Sequence, residues 1–262
     1  MTYLKFSDDR PRESVDAIVS DGPRLEGLMD RMSMISSTRD PAQACVVLGD
    51  CARILGVQSA AYATFLEEDP WRQSYRFILA CHPAWCAEYQ RLAWFADDPW
   101  LIYARTNAVP ARSRDISVRP GNQQAIVDLA HQFDVASALI VPVPAAGPLS
   151  RLGVLMLGSA DPGFFDGPGY SKFKMHARNL AHEMHDWYVA FLKAQLLSAS
   201  KLSEQDIELL KHERAGLSTK EIARSTGLQS AAINWRFQRI ISRLGVPSRR
   251  AAARIAAEYA VI

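Results

Sequence analysis

Trp85 and Tyr89 stand four residues apart, and Asp98-Pro99 follows nine and ten positions beyond the tyrosine. At that spacing on a helix, one face offers an indole N–H and a phenol side by side. A carboxylate brought into an apolar pocket beside them is costly unless it meets a donor, and an amide N–H supplies one. The three residues therefore suit recognition of a small molecule through hydrogen bonds. They also have a plainer reading, in which the aromatics fill a core and Asp98-Pro99 caps the next helix.

A second constellation lies near the C-terminal end. In SAAINWRFQRIISRL, Ile233, Phe237, Ile240 and Leu244 recur at i, i+4, i+7 and i+11, the buried face of a helix. The opposite face carries Trp235, Gln238, Arg239 and Ser242, flanked by Asn234 and Arg236. Amide side chains suit adenine edges, and guanidinium groups suit guanine or phosphate. Ser230 opens this helix, and Thr219 and Lys220 open the one before it, so they join the candidate DNA contacts. Ser218 stands three before Glu221 as a capping box, Gly216, Gly227 and Gly245 are placed to end helices, and Ser248 is placed to cap a last one. Two short helices joined by a tight turn, the second amphipathic, describe a helix-turn-helix reader of double-stranded DNA.

Charge supports that division. The 262 residues carry a formal net charge of only +2, which gives no hint of nucleic acid. From residue 200 onward, however, eleven Lys and Arg face six Asp and Glu, a net +5 that leaves −3 for the remainder. A local positive field of this kind holds phosphates. With 48% hydrophobic and 22% charged residues, the chain is globular rather than disordered or fibrous.

Among the elements that must position these groups, residues 1–22 read as a loose arm, and 24–38 and 41–55 as helices. QSAAYATFL (58–66) and QSYRFILA (73–80) read as an antiparallel strand pair around EEDPWR. Helices are expected at 83–95, 99–107 and 121–133, and two further strands, ALIVPVP and RLGVLMLGS, flank AAGPLS. After PGFFDGPGY, Phe173, Ala177, Leu180, Met184, Trp187 and Phe191 form an apolar stripe on a long helix. The stripe suits docking on a sheet, alone or together with contact to a second subunit. LLSASKLS (196–203) is small and polar, as a linker would be. Residues 1–195, the linker 196–201 and residues 202–262 are thus the expected divisions.

From Leu202 onward the sequence resembles the DNA-binding domain of LuxR-type regulators, with its Leu-Ser start, AGLSTKEIA, and a closing LGVPSR before an Ala-rich helix. The likeness covers about 60 residues without a gap, and Asp206 stands where Glu is usual. HPAWCAEYQRLAWFADDPWLIYARTNAVPAR is similar to the ligand-binding segment of acyl-homoserine-lactone receptors in the same family. The resemblance implies an α+β protein: an N-terminal α/β/α sandwich around a mostly antiparallel five-stranded sheet, then an all-α helix-turn-helix domain. It implies that Asp98 accepts from a ligand amide, Trp85 donates to a lactone carbonyl, and Tyr89 walls the acyl chain.

The N-terminal part departs from the pattern at several places. Cys81 and His82 stand where a Tyr is usual, Ser113 where a second Trp is, Ala138 where a Gly is, and Met156 where a Ser or Thr often faces the ligand. Trp100, Tyr62 and Tyr75 are available to refill lost volume, and Tyr62, Tyr75, Ser113 and Met156 join the candidate ligand contacts. The expected cofactor is none; the small-molecule ligand is an N-acyl homoserine lactone or a related small signal, the alternatives being a solo regulator with a non-acyl-lactone ligand and a ligand-independent one with a protein partner. The expected partners are a palindromic promoter site, a second copy of the chain as a homodimer, and RNA polymerase.

Other functions fit poorly. The start is charged and polar, the longest uncharged stretch (135–150) contains three prolines and falls short of a span of ~20 residues, and the expected place is the cytoplasm. Cys45, Cys51, Cys81 and Cys86 lack C-x-x-C spacing, and His182 and His185 are i, i+3 rather than the i, i+4 of a zinc protease, so no metal site is expected. No phosphoacceptor pattern, H-x-H-x-D-H metal motif or G-x-S-x-G elbow is present, so neither a phosphorylated receiver nor an enzyme is expected, and no catalytic residue is assigned.

Overall fold

Runs of small, β-branched and aromatic residues build the sheet. A computed structural model describes residues 13–66, 75–144 and 151–262. Helices α1 (Val15–Ser20), α2 (Gly22–Ser33) and α3 (Pro41–Ile54) come first, and the last two start on Asp21 and Asp40, whose carboxylates accept from first-turn amides. Strands β1 (Ser59–Leu66) and β2 (Arg76–Ala80) follow, then α4 (Pro83–Leu92), α5 (Pro99–Thr106), β3 (Ala111–Arg112), α6 (Asn122–Gln132), β4 (Ser137–Val143) and β5 (Arg151–Ser159). The five strands lie in the order β2-β1-β5-β4-β3, every pairing antiparallel. Pro142 is tolerated because β3 pairs only with Leu139 and Ile140, leaving the rest of that side of β4 an edge among the described residues.

Both faces of the sheet are covered, as an α/β/α sandwich requires. On one face Ala63, Val154 and Met156 pack with Trp85 and Cys86 of α4, Leu101 of α5 and Leu129 of α6. On the other, Tyr62 of β1 meets His185 of α7 (Tyr170–Ser200). The apolar stripe of α7 is buried at Phe173, Ala177, Leu180, Met184 and Trp187, while Phe191 is half-buried. The Trp187 indole donates to the Thr38 carbonyl at 3.0 Å.

A second unit begins at Tyr188. It holds α8 (Glu204–Arg214), α9 (Thr219–Thr226), α10 (Ser230–Leu244) and α11 (Arg249–Glu258) around Leu210, Ile222, Ile233, Phe237, Ile240 and Ala256. Capping boxes at Ser203/Asp206 and Ser218/Glu221 start α8 and α9. Gly227 and Gly245, at φ 72° and 64°, take the left-handed conformation that closes α9 and α10.

The architecture is the expected α+β one, with differences at the edges of elements. Val15–Ser20 is helical rather than part of a loose arm, whose first twelve residues lie outside the described ones, as do EEDPWR and AAGPLS. The fifth strand, Ala111–Arg112, is too short to leave an alternation in the sequence. Residues 196–200, expected to be a linker, are helical, because Leu and Ala favour a helix and Ser200 Oγ donates to the Leu196 carbonyl at 2.7 Å. Lys201, at φ 50°, ends that helix.

Candidate ligand cavity and nucleic-acid interface

His82 caps α4 by accepting from the Ala84 amide at 3.2 Å, and Pro83 opens the helix, setting Trp85 and Tyr89 on one face. Their ring centroids lie 6.2 Å apart at 62°. The chain reverses through Ala93, at φ 51°, and returns to Asp98. Asp98 Oδ1 accepts from the Trp100 and Leu101 amides at 2.7 and 3.2 Å, capping α5. Asp98 Oδ2 accepts from the Tyr89 hydroxyl at 2.6 Å. The ligand reading and the capping reading of Asp98 are therefore not exclusive: one oxygen caps the helix and the other takes part in a cavity wall.

The cavity is small, about 50 Å³, well below the volume of a pocket that already holds a drug-sized ligand, so a ligand would have to displace side chains of its wall. Trp85, Tyr89, Asp98 and Trp100 form its polar wall, and Ala61, Ala63, Val154 and Met156 rise from the sheet opposite. Asp98 is only 5% exposed. Burial raises its pKa above the ordinary carboxylate range, opposed by the bonds from Tyr89, Trp100 and Leu101. Tyr89 is pushed well up, by burial first and then by the Asp98 charge. The indole nitrogens of Trp85 and Trp100 are buried without a hydrogen-bond partner, an arrangement native proteins rarely leave unexplained.

Of the expected ligand contacts, Trp85, Tyr89, Asp98 and Met156 come together. Tyr62 does not: it projects to the opposite sheet face, where its hydroxyl lies 2.8 Å from His185 Nδ1. Tyr75 belongs to the same apolar cluster but stands off the cavity, stacked on Phe65 at 5.2 Å and bonded to Arg105. Ser113 accepts from the Ala138 amide at 3.0 Å, fastening β4 instead of lining the cavity. Trp100, read only as filler, and Phe77, not singled out at all, do line it. The indole of Trp100 next to Asp98-Pro99 was the available signal.

In the second unit Asn234, Trp235 and Gln238 are exposed on α10, Trp235 at 62%. Ser230 and Lys220 are exposed, and Thr219 is half-buried. The arginines are arranged differently from a simple outward face. Asp206 is fully buried and holds Arg239 Nη2 at 2.8 and 3.0 Å, with Arg236 at 3.4 Å and Arg243 at 3.6 Å. Burial works against the Asp206 charge, but the Ser203 amide and Arg239 outweigh it and lower its pKa. Arg239 also lies 5.0 Å from the Trp235 ring centre. Asn234 Oδ1 accepts from Arg249 at 2.7 Å, which leaves Gln238 and Trp235 as the more open groups of the helix.

Comparison with known proteins gives a family match in each half of the chain. Residues 40–187 match the family described as the autoinducer binding domain, and residues 200–256 match bacterial regulatory proteins of the luxR family. No curated protein matches the chain. Among solved structures, Escherichia coli SdiA is 14% identical with a TM-score of 0.70, covering 91% of this chain and 98% of that one. SdiA in complex with octanoyl-rac-glycerol is 15% identical with a TM-score of 0.67, covering 91% and 96%. CepR2 of Burkholderia cenocepacia, an N-acylhomoserine-lactone-dependent LuxR-family factor, is 18% identical with a TM-score of 0.54, covering 66% and 99%. At these identities the likeness is one of fold.

Proposed function

Since the chain belongs to the LuxR family of bacterial regulatory proteins, with an autoinducer-binding domain ahead of a helix-turn-helix domain, we propose that this ligand-responsive transcription regulator senses an N-acyl homoserine lactone or a closely related neutral amide. The observation that carries the reading is Asp98. A carboxylate has about four acceptor positions; two backbone amides and the Tyr89 hydroxyl occupy three of them. One position remains for a ligand N–H, and the unpartnered Trp85 indole beside it suits a carbonyl. The surrounding wall, Ala61, Ala63, Val154 and Met156, suits an acyl chain.

The signal acts from the cytoplasm, where promoter DNA is met, by stabilising a homodimer whose paired α10 helices read two half-sites of a palindromic promoter element. Recruitment of RNA polymerase from that site completes the proposed activity. Linkage gives the scale: a ligand at a hundredfold excess over its Kd adds ~2.7 kcal/mol to the bound fold. A second reading, a sensor that has lost its ligand and answers a protein partner, is favoured by the small volume, about 50 Å³, that Met156 and its neighbours leave; against it stand the unpartnered indoles of Trp85 and Trp100.

The test is a thermal-shift titration of the purified protein with N-acyl homoserine lactones of increasing chain length, followed by binding to palindromic and scrambled DNA. A chain-length-dependent rise in Tm and tighter binding to the palindrome are expected. A flat Tm across the series would overturn the acyl-lactone reading.

A further inference from the structure

Trp100 occupies the second position of α5, where its own amide donates to Asp98 Oδ1 at 2.7 Å. Its side chain is 5% exposed and lines the same cavity as Trp85, and its indole nitrogen, like that of Trp85, has no partner. A buried donor left unpaired is costly, and in a cavity wall it marks a place for an acceptor. The other donors there are spent or weak. The Tyr89 proton is committed to Asp98, and the remaining lining side chains are hydrocarbon, the thiol of Cys86 and the thioether of Met156. Two indole N–H groups and one carboxylate position are what the wall has to offer.

We propose that Trp100 is a second ligand-contacting donor, so that the signal is a neutral molecule with two hydrogen-bond acceptors, one for each indole, and one donor for Asp98. This rests on the small-molecule reading above and narrows it. A ligand with a single acceptor leaves one indole unpaired in an apolar wall, and an anion is opposed by the Asp98 carboxylate. An N-acyl homoserine lactone meets the requirement with its ring carbonyl and its amide carbonyl, and a monoacylglycerol meets it with its ester carbonyl and a hydroxyl.

The full-length protein, its Trp100→Phe variant and its Trp85→Phe variant are titrated calorimetrically with N-octanoyl-homoserine lactone and with octanoyl-rac-glycerol. Phe keeps an aromatic side chain but removes the N–H together with the second ring, so the Trp100 N–H resonance separates the hydrogen bond from the lost volume. Trp100→Phe is expected to bind about tenfold more weakly, as loss of one buried hydrogen bond predicts. In the wild type labelled at indole nitrogen, the Trp100 N–H resonance moves downfield on ligand addition, a readout independent of how the variant folds. Wild-type affinity in Trp100→Phe together with an unmoved Trp100 resonance, beside weakened binding in Trp85→Phe, overturns the second-donor role and leaves the small-molecule reading standing. Failure of both probes to bind the wild type overturns that reading and this one together.

Discussion

The Tyr89 hydroxyl donates to Asp98 Oδ2 at 2.6 Å, tying the last turns of α4 to the first turn of α5. The bond does two things at once. It offsets part of the cost of a buried carboxylate, and it holds the phenol and the acid in the same wall as Trp85 and Trp100. Tyr89→Phe removes it without changing the ring. Hydrogen bonds to charged groups contribute about 1.5–3 kcal/mol, so the variant should lose stability of that order in chemical denaturation and respond more weakly to ligand. Unchanged unfolding would mean that water replaces the phenol at Asp98.

Asp98→Asn separates folding from recognition. Asn is also a good N-cap, so the Trp100 and Leu101 amides keep an acceptor. The folded pKa of Asp98 is raised, so the folded state holds the proton more tightly than the unfolded one. Its contribution to stability is therefore greatest below the ordinary carboxylate value and declines as pH rises toward the folded one. The apo variant at neutral pH should be at least as stable as the wild type, while the concentration of ligand for half-response rises about tenfold or more. An unchanged dose–response in a reporter strain would remove Asp98 from the site.

The separation of Tyr62 from the cavity explains how far such a site can be read from residue order. Spacing alone locates Trp85, Tyr89 and Asp98, because helical periodicity and an Asp-Pro cap are local. It does not choose a face for Tyr62. In SAAYATFL, alternation places Tyr62 opposite Ala61 and Ala63, but both sides are buried, so no polar side identifies which one meets the ligand. Ser113 and the two-residue β3 depend on a long-range pairing with β4 that has no local signature. The helix-turn-helix, whose caps and apolar stripe are all local, is legible almost element by element. Its inward-turned arginines are not, since they answer to a carboxylate about thirty residues away.

Gln238→Ala and Arg236→Ala should behave differently on DNA. Gln238 is exposed on α10 and is not tied to Asp206, so its loss should relax base preference at one position, worth about 1–3 kcal/mol of discrimination. Arg236 is held at Asp206 and Gln205, so it is expected to contribute field more than base readout. Its loss should weaken all sequences alike and lower the salt dependence by about one phosphate contact. Selected-sequence enrichment at two salt concentrations separates the two, and an identical selected motif for Gln238→Ala would argue against direct reading.

Asp206→Ala removes both a capping-box member and the common partner of Arg236, Arg239 and Arg243. Those arginines are partly exposed and regain water, so the loss should be about 1–2 kcal/mol, mostly from the cap. Because the folded pKa of Asp206 is lowered, its contribution is present above the ordinary carboxylate value and disappears as pH falls through the folded value. The wild type and the variant should therefore converge in acid. A constant difference from neutral to acidic pH would assign the effect to the backbone of α8.

His185 is expected to contribute to the acid sensitivity of the sensor domain. Its Nδ1 lies 2.8 Å from the Tyr62 hydroxyl beneath Gly153, where even a Cβ would sit 2.4 Å from that nitrogen. Burial depresses its pKa to about 4, with Arg151 and His182 acting in the same direction and Asp186 against them. The unfolded chain takes up the proton near the ordinary 6.5, the folded one only near 4. Stability is thus complete above the higher value and is lost as pH falls between the two, by about 3 kcal/mol at the lower end. His185→Gln, which keeps an acceptor for Tyr62 but cannot titrate, should flatten that part of the stability profile. A loss of the same size between pH 6.5 and 4 in the variant would place the acid sensitivity in another group.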